Sequence, residues 1–194
     1  MSQVRIGIII GSTRPGRVGE TVAKWVLEHA TQRDDAEYEL VDLLDYSLPH
    51  LDEAVPASRG MYSNEHTRAW ADKIASFDGF VFVTPEYNHS TSGALKNAID
   101  FIYGEWNNKA AALVSYGVHG GVRAAEHLRL VLGELQIADV RQQVAFSLIT
   151  DFENYTSFAP KGGQEAQLTT QLDQLVSWAG ALQSVREQHL AAAA

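Results

Sequence analysis

The 194-residue chain contains no cysteine. That removes disulfides, iron–sulfur clusters, thiolate zinc and a cysteine nucleophile together, and it fits a reducing compartment, so a cytoplasmic location is expected. Basic residues are also few: 15 Lys and Arg stand against 24 Asp and Glu, a formal charge of −9. With no block of Lys or Arg to neutralise phosphates, a nucleic-acid partner is not expected. No apolar run approaches the ~20 residues a membrane helix needs, and the opening MSQVRIGIIIGSTR is too short for a secretory signal. No membrane partner is expected either. The seven histidines include no i, i+4 pair, and both H-E-x-x-H and the G-x-S-x-G nucleophile elbow are absent. Metal and hydrolase chemistry are therefore disfavoured. What remains is 45% hydrophobic and 20% charged, ordinary for a folded domain. At this length one domain over residues 1–190 is expected, with a frayed tail over 191–194.

Two periodicities alternate along the chain. Val4–Ile10 (VRIGIII), Tyr38–Leu43, Phe80–Val83, Ala110–Val114 and Val144–Ile149 are short, apolar and rich in β-formers. Between them run helical patterns: Val22, Val26 and Ala30; Trp70, Ile74 and Phe77 behind an Asn64 N-cap; Leu95, Ala98, Ile99 and Ile102 before Gly104; Leu128, Val131, Leu132 and Leu135; then Leu168 to Leu182. Strand–helix alternation of this kind implies βαβ units, an α/β fold and a parallel sheet covered on both faces. Ligands then bind beyond the carboxyl ends of the strands. One long irregular stretch, Tyr46–Ser63, is either a functional wall or a surface excursion.

The loop after the first strand, Gly11-Ser12-Thr13-Arg14-Pro15-Gly16-Arg17-Val18-Gly19, combines glycines, hydroxyls, two arginines and a helix start. Such a set suits a dianionic phosphate, although a tight turn with solvated arginines would read similarly. A nucleoside-triphosphatase loop would need Lys-Ser/Thr where Arg17 and Val18 stand, and G-x-G-x-x-G is missing. The loop after the third strand, Thr84-Pro85-Glu86-Tyr87-Asn88-His89-Ser90-Thr91-Ser92-Gly93, offers a stiff backbone, a planar face and an amide. It could line a flat heterocycle, or simply cap the next helix.

Together, GSTRPGRVG, TPEYNHSTSGALKNAIDFIYGEW and LVSYGVHGG resemble the NAD(P)H-dependent FMN reductase family. The likeness extends from Val4 to about Ile149, and its most specific part is PEYNxSxxGxLKNAID. It implies a flavodoxin-like three-layer α/β/α sandwich with a five-stranded parallel sheet in the order 2-1-3-4-5. FMN would be the cofactor and NADPH or NADH the electron donor. A small acceptor would follow: a quinone, an azo dye, a metal oxyanion or free flavin. By the same resemblance Ser12, Arg14 and the start of the next helix (Arg17, Val18, Gly19) hold the FMN phosphate. Pro85, Glu86, Tyr87 and Asn88 meet the isoalloxazine and ribityl portions. Many relatives carry a serine near Arg17–Gly19, which places more weight on Ser12 and Arg14 than on Arg17. A homodimer is implied too, with the helix Gly93–Tyr103 at its interface and Tyr46–Ser63 walling a shared site.

The loop after the fourth strand, Ser115-Tyr116-Gly117-Val118-His119-Gly120-Gly121, suits close approach to the flavin ring. Tyr116 would contact the ring, and N–H groups of Gly120, Gly121 or the next helix would stabilise negative charge on reduced flavin. His119 could donate a proton or be an ordinary loop residue. No side chain needs to be catalytic, because the cofactor carries the redox chemistry. A flavin-binding electron carrier or redox sensor remains the alternative.

Overall fold

The computed structural model describes the backbone of residues 3–193 and the side chains of residues 3–188. Strand β1 (Val4–Ile10) is apolar on both faces because it lies inside a parallel sheet, between β2 (Ala36–Asp42) and β3 (Gly79–Pro85). Strand β4 (Lys109–Gly117) pairs with β3, and β5 (Ile137–Ser147) forms the far edge. The order is therefore β2-β1-β3-β4-β5, as the resemblance implied.

Helices α1 (Gly19–Ala30) and α5 (Gln164–Ala193) cover one face of the sheet. Helices α2 (Glu65–Ala75), α3 (Gly93–Asp100) and α4 (Val122–Glu134) cover the other. The two-residue strand period sorts the side chains between two cores. Ile6, Ile8, Ile10, Val81 and Val83 meet Val22, Val26, Leu168 and Leu172. Ile9, Phe80 and Phe82 meet Trp70, Ile74, Ile99 and Trp106. Both buried indoles are satisfied, Trp70 Nε1 donating to Ala98 O (2.8 Å) and Trp106 Nε1 to Ile99 O (3.2 Å). Among the described residues, no helix is long and apolar enough to cross a membrane, and no cluster of His, Asp and Glu could hold a metal.

Several boundaries differ from the sequence expectation. The fifth strand starts at Ile137 and ends at Ser147, rather than spanning Val144–Ile149. Its polar centre, Arg141-Gln142-Gln143, hides it from a hydrophobicity pattern, but an edge strand tolerates polar residues. Pairing with β4 slips between Ala111 and Leu113, and α5 repairs the break. Fully buried Gln171 donates to both Leu113 O and Gln142 O (2.8 Å each), while Gln174 Oε1 accepts from Gln142 N (3.0 Å). A small antiparallel hairpin, β6 (Phe152–Glu153) with β7 (Ser157–Phe158), follows β5 and is too short for any periodicity to reveal.

Asn64 does sit at the N-cap of α2, but its side chain makes no cap bond. Glu53 instead braces the residues just ahead of the helix, accepting from Asn64 N and from both N–H and hydroxyl of Ser63. The Ser63 hydroxyl and these backbone donors hold the Glu53 carboxyl at about 2. Asn97 of α3 bonds Pro49 O (2.7 Å) and Leu51 N (3.1 Å), so the irregular stretch is pinned along α3. At the other terminus α5 continues through Ala193, covering most of the expected tail; Ala194 lies outside the described residues.

Candidate functional site

Three loops leave the carboxyl ends of β1, β3 and β4 where the strand order reverses, and a cleft of about 190 Å³ opens between them. A larger groove, about 480 Å³, lies beside Val4 and α5, at the amino end of β1. It is on the wrong side of the sheet for such a fold's ligand, and Asp35 is its one charged lining residue.

The first loop leaves β1 through Gly11, whose N–H donates to Val83 O (2.9 Å). Buried Ser12 follows, its hydroxyl 2.9 Å from the Tyr87 hydroxyl and accepting from Arg14 N at 3.4 Å. Helix α1 begins at Gly19 with Val18 as N-cap, and no side chain caps it. Its first-turn N–H groups therefore keep their partial positive charge at the cleft.

The two arginines of this loop behave differently. Arg14 lines the cleft, is exposed, and makes no ion pair among the described residues. Arg17 also lines it, but its guanidinium is bidentate on Asp42, at the end of β2, and donates to Ser12 O at 2.6 Å. Arg17 thus braces the loop from behind, and its charge is already neutralised.

Glu86, from the second loop, is committed as well. It accepts from Arg123 Nε (2.7 Å), from Arg123 Nη2 and from the Arg123 backbone N–H (3.1 Å). Burial alone would raise its pKa, but the Arg123 contacts outweigh this and hold the carboxyl below the usual range. It stays ionised at neutral pH and serves as the N-terminal anion of α4. The turn beyond it, Tyr87-Asn88-His89-Ser90, is closed by Tyr87 N to Ser90 O (2.8 Å) and Ser90 N to Tyr87 O (3.1 Å). Positive φ at both Asn88 and His89 makes it a type I′ turn. It leads to Ser92, whose hydroxyl caps α3 through Leu95 N (3.0 Å).

Tyr116, from β4, is 5% exposed, and its hydroxyl is buried with no hydrogen-bond partner among the described residues. Burial raises its pKa, helped by the neighbouring Tyr87. A Cβ on Gly19 would lie 2.3 Å from this hydroxyl, so the glycine is what admits the ring against the start of α1. An orphaned buried hydroxyl beside an uncapped helix start and an unpaired arginine is a polar cradle lacking its complement.

Of the residues singled out from sequence, Arg14, Arg17, Val18, Pro85, Glu86, Tyr87, Tyr116 and Gly117 line one cleft, with Ser12 and Gly19 in contact with its tyrosines. Others fall outside the lining. The Ser115 hydroxyl is buried, donating to Gly120 O (2.6 Å) and accepting from Gln143 Nε2 (3.0 Å). Asn88 stands exposed at the turn tip, and His119 is exposed on the surface. Gly120 N–H is taken by Gly117 O (3.1 Å). With Glu86 at the start of α4, the positive end expected there is already compensated, because β3 and β4 bring the carboxylate beside it. Sequence reading missed Gly16, Leu148, Tyr155 and Thr156, which complete the lining. Gly16 lay within the quoted first loop, whereas the other three carry no local signature.

Residues 4–151 match the family model described as NADPH-dependent FMN reductase. An NAD(P)H-dependent FMN reductase of Schizosaccharomyces pombe is 44% identical over 149 residues, covering 76% of this chain and 74% of that one. A quinone reductase of Escherichia coli is 32% identical over 138 residues, covering 67% and 70%. In structure, a flavoenzyme NAD(P)H:(acceptor) oxidoreductase from Paracoccus denitrificans superposes with a TM-score of 0.70 at 23% identity, covering 92% of this chain and 98% of that one.

Proposed function

The chain belongs to the NADPH-dependent FMN reductase family, and from that premise we propose that the cleft between β1, β3 and β4 holds FMN and delivers electrons to small flat acceptors of the quinone type. Oxidoreductase activity with FMN and NAD(P)H follows from the family itself. The observation that carries the placement is the cradle: uncapped α1, unpaired Arg14 and the orphaned Tyr116 hydroxyl lie together.

The donor set fits a ribityl phosphate. Arg14 and the first turn of α1 supply positive charge for the phosphate, and the Ser12 and Tyr116 hydroxyls supply neutral donors beside it. Arg17 keeps the loop in shape through Asp42 and Ser12 O. Pro85, Tyr87 and Gly117 provide the surface along which a flat ring is oriented. Most complete ligand pockets exceed ~300 Å³, so a cleft of about 190 Å³ leaves part of the cofactor open to a second reactant.

FMN supplies the redox chemistry when bound, the sum being NAD(P)H plus a proton plus quinone giving NAD(P)⁺ plus hydroquinone. The chain binds and orients. Glu86, held ionised by Arg123, is not the donor of that proton.

The test is anaerobic absorption spectroscopy of the FMN-reconstituted protein. Prompt bleaching of the flavin band by NADPH or NADH, and its return with a quinone, is the expected result. A bound flavin that stays oxidised would instead support an electron carrier.

The same reading takes the enzyme to be a cytoplasmic homodimer, in keeping with its lack of cysteine. A groove of about 470 Å³ between Leu48–His50 and Gly93, Ala94 and Asn97 of α3 supports an interface there, beside exposed Leu51. Light scattering is expected to return twice the 21.3 kDa chain mass, and a purely monomeric mass would remove the dimer.

A further inference from the structure

The hairpin β6–β7 begins one residue beyond the stretch that matches the family model. Its turn is closed by Thr156 N donating to Glu153 O (3.1 Å), with φ of 50° at Asn154 and 61° at Tyr155. Positive φ at both central residues makes Glu153–Thr156 a type I′ turn, set in a three-residue loop because Glu153 pairs with Ser157. Asn suits the left-handed region, but a bulky tyrosine is disfavoured there. Tyr155 is 63% exposed, yet together with Thr156 it lines the same cleft as Arg14, Gly16 and Val18.

The stem beneath this tip is rigid. The Asp151 carboxylate accepts from Ser147 N (2.9 Å) and Gln164 Nε2 (3.0 Å), and its carbonyl accepts from Ala159 N (2.8 Å). Phe158 stacks edge-on against Phe146 (4.9 Å) and approaches Trp25 (6.2 Å), which belongs to α1, the helix whose start faces the cleft. Hairpin and phosphate loop are thereby braced on one helix. An unfavourable backbone conformation, held by a firm stem at the mouth of a cleft, points to a role in binding.

We propose that this hairpin is a clasp on the cofactor: Tyr155 and Thr156 contact the sugar–phosphate half of FMN in the cleft they line with Arg14 and slow its release. The inference rests on the cleft being the FMN site. It makes the flavin a resident group rather than an exchanging substrate, by closing the side of the cleft that the three sheet loops leave open.

The experiment measures FMN release from the loaded protein, by recovery of flavin fluorescence after dilution, alongside the melting temperature of the apoprotein. Tyr155→Gly gives the turn an Asn-Gly pair, the best I′ sequence, so the hairpin itself should hold or gain stability. Tyr155→Asn also tolerates the left-handed region and serves as the second variant. Both are expected to release FMN about tenfold faster, through loss of an aromatic contact, with an apo melting temperature at or above wild type. Unchanged release with FMN still bound would overturn the clasp alone. A fall in apo melting temperature in both variants would make Tyr155 a packing residue and overturn it too. Wild-type protein that takes up no FMN would overturn the cofactor site itself.

Discussion

Gly121→Ala is expected to lower the thermal unfolding midpoint by about 10 °C, corresponding to about 3 kcal/mol for a domain of this size. Two effects add. Gly121 has φ of 69°, a region that costs an L-residue about 1–2 kcal/mol. A Cβ there would also lie 2.8 Å from Tyr116 N and 2.9 Å from Tyr116 O, backbone atoms of a central strand that cannot swing aside. Gly60→Ala is the control. It has a similar φ of 62°, but nothing lies within 4 Å of the new Cβ, so only the conformational part, about 1 kcal/mol, should appear. Calorimetry on both variants separates strain from collision. Equal losses at the two positions would show that the collision with β4 is relieved without cost.

Arg14→Ala is expected to weaken FMN binding tenfold or more, because a charge-assisted contact is worth about 1.5–3 kcal/mol. Folding should be untouched, since Arg14 is exposed and pairs with no carboxylate among the described residues. Arg17→Ala is the informative contrast. It strips the partner from Asp42 and the donor from Ser12 O, so its effect should appear in the melting temperature as well as in affinity. Titration by quenching of flavin fluorescence reads both variants. Unchanged affinity in Arg14→Ala would move the phosphate away from this loop.

Much of the molecule is legible in the sequence itself. The strand β1, the apolar β3 and β4, and the loops after them are encoded in consecutive residues, since a buried parallel strand must be apolar on both faces and a strand-to-helix turn needs its glycines. The quoted motifs supplied the family, and with it the strand order, because GSTRPGRVG and PEYNxSxxGxLKNAID are contiguous in the chain.

Partnership was not legible. The resemblance put less weight on Arg17 than on Arg14, but only the pairing of β1 with β2 supplies the reason, by bringing Asp42 beside Arg17. Glu86 reads from sequence as a capping or surface charge near the site, but which helix it serves is decided only when β3 and β4, lying side by side, deliver it to the start of α4. The polar centre of β5 makes sense only at a sheet edge where Gln171 and Gln174 of a distant helix satisfy its irregularity. Tyr155 enters the site from a hairpin whose strands are two residues long. Local structure follows from backbone sterics and hydrophobic period, which neighbouring residues carry. Which charges are spent and which remain free depends on the register of the sheet, which brings together residues up to dozens of positions apart.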